Sequence, residues 1–247
     1  MPDNASSSAG PALRGFRLQI LYTLFRLIEA PGVLQAALYW PETVEDLAIY
    51  GQDGLLREAI QVKAHSASLT LNDLDPKLRH GLLRRVLETL RQNPTARVWL
   101  VSFGPIGEEL VQAWGGDGPA RERVGGKLKQ VGFSPEDIHR LFKGFDFEKV
   151  DEAQVVSRIE AFFHNHPLLF GQSRHASASL YQWLYGAAER GERLAYADLI
   201  DKVGSIGRYI QERAAHIQTW LTSITPLDEA PEDVNPSDGL LAEFQTS

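Results

Sequence analysis

Val44-Glu45-Asp46-Leu47-Ala48-Ile49-Tyr50, then Gly51-Gln52-Asp53-Gly54, then Glu58-Ala59-Ile60-Gln61-Val62-Lys63, is the stretch that decides the fold. Both flanks read as strands. In the first, alternation puts Asp46 and Ala48 on one face and Leu47 and Ile49 on the other; in the second, Ile60 and Val62 oppose Ala59, Gln61 and Lys63. The Gly-Gln-Asp-Gly segment favours a hairpin. Pairing through it brings Asp46 beside Gln61 and Lys63.

A carboxylate, an amide oxygen and an ammonium at the ends of paired strands are the parts needed to hydrolyse a phosphodiester with a divalent metal. Mg²⁺ prefers oxygen ligands and keeps several waters, so Asp46, Gln61, a backbone carbonyl and a substrate phosphate suffice to hold it. Lys63 then orients the attacking water or offsets charge in the transition state. Gln-x-Lys by itself is only a tripeptide, equally at home on an exposed edge strand. The order of the surrounding elements has to support it.

Before the hairpin, Gly15 to Glu29 carries Phe16, Ile20, Leu24, Leu27 and Ile28 as a helical stripe that stops at Pro31-Gly32, and Val33 to Trp40 reads as a strand. After it, Pro76 to Gln92 places Leu78, Leu82, Val86, Leu87 and Leu90 at helical spacing and ends at Asn93-Pro94. Arg97 to Phe103 is a short, nearly apolar strand of the buried kind. The expected order is therefore helix, three strands, helix, strand.

That order, with Gly15-Phe16-Arg17-Leu18-Gln19, Glu45-Asp46-Leu47 and Gln61-Val62-Lys63-Ala64-His65, resembles the PD-(D/E)xK, or restriction-endonuclease-like, nuclease domain at the N-terminus of bacterial antiviral effectors. In those proteins the domain is fused to a cyclic-oligonucleotide sensor in CBASS systems or to a STAND ATPase in Avs systems. The resemblance covers residues 14 to 110. It implies an α/β fold with a C-terminal helical region and cleavage of double-stranded DNA with little sequence preference, using Mg²⁺ or Mn²⁺. It also implies site roles: Asp46 as acidic metal ligand, Gln61 as the variable second ligand, Lys63 as the lysine, and Gln19 as a helix-borne glutamine facing the site. Gln61 stands where many members carry Asp or Glu, so metal affinity is expected to be weaker and to draw on Glu45, Glu42 or bound DNA. Glu29 is a further candidate ligand. His65, two residues beyond Lys63, falls on the same face and is a candidate for phosphate contact or proton transfer.

The net charge of −7 is unusual for a DNA-binding protein, since Lys and Arg normally neutralise phosphates. Its distribution matters more. Residues 226 to 247 hold Asp228, Glu229, Glu232, Asp233, Asp238 and Glu243 and no Lys or Arg, which leaves −1 for the rest. Lys77, Arg79, Arg84, Arg85, Arg91 and Arg97 form one basic stretch around the second helix; Arg121, Arg123, Lys127 and Lys129 form another in a Gly-rich segment expected to be a loop. Lys77, Arg79, Arg84, Arg85, Arg121, Arg123 and Lys127 are the candidate DNA contacts.

No cysteine is present, which removes disulfides and thiolate metal sites and fits a cytoplasmic location. The start, MPDNASSSAGPA, has no signal-peptide pattern, and no apolar run reaches membrane-spanning length. Gly115-Gly116-Asp117-Gly118-Pro119 marks a boundary. Ser134-Pro135-Glu136-Asp137 opens a helix, and Asp151 to His164, Ser173 to Arg190 and Tyr196 to Ile224 are longer amphipathic helices. Leu180, Trp183 and Leu184, and Ile210, Ile217, Trp220 and Leu221, are expected to make core or subunit contacts. The expected organisation is a disordered tail (1–13), a nuclease core (14–115), a helical region packed on it (116–225) and an acidic linker or tail (226–247). A homo-oligomer is expected, because one protomer cuts one strand, and the linker is expected to lead to a sensor or ATPase domain. The competing expectation is a catalytically silent module of the same fold that binds nucleic acid or a partner.

Overall fold

A computed structural model describes residues 9–29, 37–41, 45–167, 169 and 173–223. Helix α1 (Ala9–Ile28) is followed by β1 (Leu38–Pro41), β2 (Leu47–Tyr50) and β3 (Leu56–Lys63), then α2 (Leu82–Gln92) and β4 (Arg97–Ser102). The chain continues through α3 (Glu108–Trp114), α4 (Gly118–Gln130), α5 (Pro135–Gly144), β5 (Phe145–Lys149), α6 (Glu152–Asn165), α7 (Ser173–Glu189), β6 (Leu194–Ala195) and α8 (Tyr196–Ser223). The six strands form one mixed sheet in the order β5-β4-β3-β2-β1-β6. Its β1, β2 and β3 pair antiparallel, whereas β3, β4 and β5 run parallel. The helix, three-strand, helix, strand order expected for the core is present.

The turn between β2 and β3 closes as the Gly-Gln-Asp-Gly sequence requires, with Gly54 at φ +75° and the Gly51 N–H bonded to the Leu55 carbonyl. Pairing sets Leu47 against Ile60 and Ala48 against Ala59, and a bulge beside Tyr50 puts Leu56 on the same side as Ala59. Ala48, Leu56, Ala59, Val98 and Leu100 pack against Leu83, Val86, Leu87 and Leu90 of α2, all within one buried cluster. On the opposite face, Tyr22 and Arg26 of α1 reach Glu148 of β5 and Glu58 of β3.

Several expectations differ from this structure. Helix α1 begins at Ala9, so residues 9–13 are helical and are no tail; residues 1–8 and 226–247 lie outside the described residues, as do the start of the Val33–Trp40 strand and Val44. Helix α2 starts at Leu82 and not at Pro76, because Asp75 sits at φ 48° and Gly81 is extended as the N-cap; Leu78, expected in the helical stripe, is 59% exposed. The supposed loop around Arg121–Lys129 is helix α4, capped by the Asp117 side chain on the Ala120 N–H. The breaker at 115–119 is therefore a helix-to-helix turn and no domain boundary. Val124, Leu128, Ile138 and Leu141 belong to the same cluster as α2, and β5 extends the sheet from within the region expected to be wholly helical. Ser134 does cap α5, through a capping box with Asp137.

A compact unit ends at Ile206, and a second unit begins at Gly207. In the second unit Ile217 and Trp220 are 47% and 59% exposed, so they are no core contacts of that segment; Leu180 and Leu184 are fully buried as expected. No described helix is long and apolar enough to cross a membrane.

Candidate functional site

The ladder between β2 and β3 stops at Leu47 and Ile60, and β3 runs on to Lys63. Asp46 stands where β2 gives out. Its Oδ2 accepts the Val62 backbone N–H at 2.6 Å and an N–H of the Gln61 side chain, and the Gln19 side chain of α1 donates to the same carboxylate. Three donors from two elements thus converge on one acid. Burial pushes the Asp46 carboxyl above its ordinary value, and those hydrogen bonds pull it back in part.

Glu45 turns toward α2. Its side chain is 3% exposed and meets Arg85, whose Nε lies 3.4 Å from Oε1 and whose Nη2 lies 3.3 Å from Oε2. The same Nη2 reaches Gln61 Oε1 at 3.3 Å, and Nη1 donates to the His80 carbonyl at 3.2 Å. Burial raises the Glu45 carboxyl, and Arg85 acts to lower it. Gln61 therefore joins the two acids, its nitrogen toward Asp46 and its oxygen toward Arg85.

Lys63 lies two residues beyond Gln61 and so on the same side of β3. Both line a cleft of about 510 Å³ with His65, Asn72, Asp73 and Asp75, and the Lys63 ammonium donates to the Asp73 carbonyl at 3.1 Å. The floor of the cleft is fixed by His65. Its Nδ1 contacts the Ala67 carbonyl at 2.5 Å and its Nε2 the Ser102 hydroxyl at 2.9 Å. Ser102 is fully buried and registers with Lys63 across the parallel strands. Gly104 is required beside it, since a Cβ there would fall 2.2 Å from the His65 carbonyl oxygen.

The structure thus brings together Asp46, Gln61 and Gln19, sets Lys63 on the same cleft as Gln61, and joins Glu45 to them through Arg85. Other candidates are placed elsewhere. Glu29 pairs with Arg158 of α6 at 3.1 Å. His65 has both ring nitrogens engaged within the chain and acts as a clamp, with none left for proton transfer. Glu42 lies outside the described residues. Three of the seven candidate DNA contacts hold the fold together: Arg84 stacks 3.8 Å from the Phe133 ring and bonds the Val131 carbonyl, Arg121 bonds the Ala113 carbonyl at the end of α3, and Lys127 pairs with Glu109; Arg85 stands at the site itself, tied to Glu45 and half-exposed. Lys77, Arg79 and Arg123 have no such contact among the described residues. Sequence reading missed Asp73 and Ser102. The Thr70-x-x-Asp73 spacing, a capping box at a 3-10 turn over residues 71–74, signalled the first.

For a divalent cation, the donor set is one carboxylate and one amide on adjacent strands. Among the described residues no three His, Cys, Asp or Glu side chains gather to hold a metal. The set fits a hard ion that keeps most of its water and does not fit a closed Zn²⁺ site. With the amide turned half a circle, Asp46 and Gln61 would hold such an ion from the protein side.

No family model matches the sequence, and no curated protein matches it. Solved structures do. The chain is similar to the Acinetobacter baumannii Cap4 SAVED/CARF-domain containing receptor, at 14% identity and a TM-score of 0.50, over 76% of this chain and 46% of the receptor. The same receptor with the cyclic trinucleotide 2'3'3'-cAAA gives 14% identity and a TM-score of 0.50 over 76% and 44%. A Moraxella osloensis Cap4 SAVED/CARF-domain containing receptor gives 14%, 0.48, 78% and 48%. The chain spans less than half the length of these receptors and shares a fold with that of Acinetobacter baumannii.

Proposed function

We propose that this chain is a metal-dependent endonuclease that cleaves double-stranded DNA with little sequence preference, working as a module of a bacterial antiviral defence protein. The observation that carries the reading is the direct Asp46–Gln61 contact at the end of β2, with Lys63 one step further along the same face of β3. A bound Mg²⁺ or Mn²⁺ would polarise the phosphate and lower the pKa of a water. The chain's own groups do the rest. Asp46 and Gln61 would hold the ion, Gln19 and the Val62 N–H hold the Asp46 carboxylate in place, and Lys63 sets its charge against the negative charge that develops on the phosphate. The Ser102–His65 clamp keeps the backbone beyond Lys63 fixed. The fold likeness to SAVED/CARF-domain containing receptors, of which this chain covers less than half, supports placing the module beside a sensor domain, and a cut in both strands calls for two protomers.

The comparisons favour a second reading. The similar structures are described as receptors, one holding a cyclic trinucleotide, and a site with one carboxylate also suits a module that binds nucleic acid or a partner without cutting. One experiment separates the two. Plasmid DNA is incubated with the protein and Mg²⁺ or Mn²⁺, with and without chelator, alongside Lys63→Ala. Chelator-sensitive cleavage that Lys63→Ala abolishes supports the nuclease; retained binding of duplex or cyclic trinucleotide with no cleavage at any metal concentration supports the silent module.

A further inference from the structure

Arg85 bonds Glu45, Gln61 and the His80 carbonyl, and every bond is long. Its contacts to Glu45, Gln61 and His80 run from 3.2 to 3.4 Å, whereas charge-assisted N–H···O bonds settle near 2.7–2.9 Å. Its side chain is 47% exposed, while the Glu45 side chain it neutralises is 3% exposed. The guanidinium is thus tethered to a buried carboxylate yet open to solvent on its other edge. Nη2 is the atom at issue, because it serves Glu45 and Gln61 together.

Gln61 can face Asp46 with its nitrogen or its oxygen. With the nitrogen inward, Nε2 donates to Asp46 and Oε1 accepts from Arg85, so both ends are satisfied. With the oxygen inward, two acceptors meet unless a cation lies between them, and the outward NH₂ opposes the donors of Arg85. Arg85 therefore stabilises the amide orientation that excludes a cation. A phosphate oxygen is a stronger acceptor for guanidinium than a neutral amide.

We infer that Arg85 is a positioning residue that couples phosphate contact to the amide orientation of Gln61: a duplex phosphate draws Nη2 off Oε1 while Nε stays on Glu45, and the released amide turns its oxygen to the Asp46 side. This rests on the nuclease reading of the site. Its consequence is reciprocal, since any factor by which duplex tightens metal binding must equal the factor by which metal tightens duplex binding.

The test is Mn²⁺ binding by calorimetry in the Lys63→Ala background, which keeps the duplex intact, with and without a short DNA duplex. Arg85→Lys is the comparison. It retains a cation for Glu45 but lacks the fork that serves two acceptors, and its thermal melt confirms folding; Arg85→Met combined with Glu45→Gln leaves no buried unpaired charge if Arg85→Lys fails to fold. Duplex is expected to tighten Mn²⁺ binding by roughly 5–150-fold with Arg85 present, the usual range of such coupling, and by no more than about twofold in the variants. Equal tightening with and without Arg85 overturns the role of Arg85 alone. Absence of Mn²⁺ binding in every sample, with duplex present, overturns the metal reading and this inference with it.

Discussion

Two arginine–carboxylate pairs flank the central strand, and they are built differently. On the α1 face, Arg26 meets Glu58 at 2.8 Å with side chains 17% and 21% exposed, and Tyr22 adds its hydroxyl to Glu148 at 2.6 Å. Burial works against the Arg26 charge, but Tyr22 and Glu58 more than restore it, and its pKa is held above the ordinary value. On the α2 face, Arg85 meets Glu45 at 3.3 Å with a half-open guanidinium that also serves a neutral amide. The first pair is largely buried and locks α1 to the sheet. The second leaves a donor free to exchange. Similar chemistry on the two faces of the sheet thus yields a fastener on one and an adjustable contact on the other.

The largest effect expected concerns the fastener. Glu58→Ala strands a buried guanidinium and should lower stability by about 3–5 kcal/mol, read by chemical denaturation. A loss under 1 kcal/mol would erase the contrast between the faces. Next comes Lys63→Ala, on the adjustable face, where the melting temperature should barely move while DNA cleavage drops by about 10²–10³-fold, or roughly 2.7–4 kcal/mol in activation. Unchanged cleavage would remove Lys63 from the chemistry.

A smaller effect separates cations that hold the fold from those that face solvent. Arg84→Ala removes a stacking contact and one hydrogen bond and should cost about 1–2 kcal/mol of stability. Arg123→Ala should leave the melt unchanged and reduce the salt dependence of duplex binding by about one counterion. A melt shifted by Arg123→Ala, or unshifted by Arg84→Ala, would break the distinction.

The smallest effect is one of pH. Because the folded state raises the Asp46 pKa above its ordinary 3.8, the native protein holds this proton more tightly than the unfolded chain. The contribution to stability is present in full below pH 3.8 and is lost as pH rises through the folded value. Asp46→Asn should therefore flatten the stability–pH curve in that window and gain stability at neutral pH. An isosteric variant less stable at pH 7 than the parent would contradict this.

What the sequence made legible was local. Alternation and the Gly51–Gly54 turn placed the hairpin and set Asp46 beside Gln61, and the stripes of α1 and α2 placed the flanking helices, because period and turn chemistry are carried by neighbours in the chain. The Phe145–Lys149 strand was invisible for the same reason. Phe145-Asp146-Phe147-Glu148-Lys149 is only five residues long and follows α5 directly, with Gly144 as the sole punctuation, and its partner strand ends 43 residues earlier at Ser102. The site was read in its acids and lysine but not in its constraints. That Arg85 is tied to Glu45, or that His65 is held by Ser102, depends on the register of strands and helices remote in sequence. The basic stretch around Arg121 failed because composition alone cannot tell a glycine-containing helix from a loop.

The bond from the Val62 N–H to Asp46 makes the site self-reporting. One backbone amide, at the point where two strands part, senses the electron density of the acid that would carry the ion. Any occupant that draws charge from that carboxylate weakens it as an acceptor, so the Val62 proton resonance should move upfield and its exchange with solvent quicken. A single peak in a nitrogen-15 spectrum then titrates occupancy in the intact protein, with no substrate turned over and no residue of the site replaced.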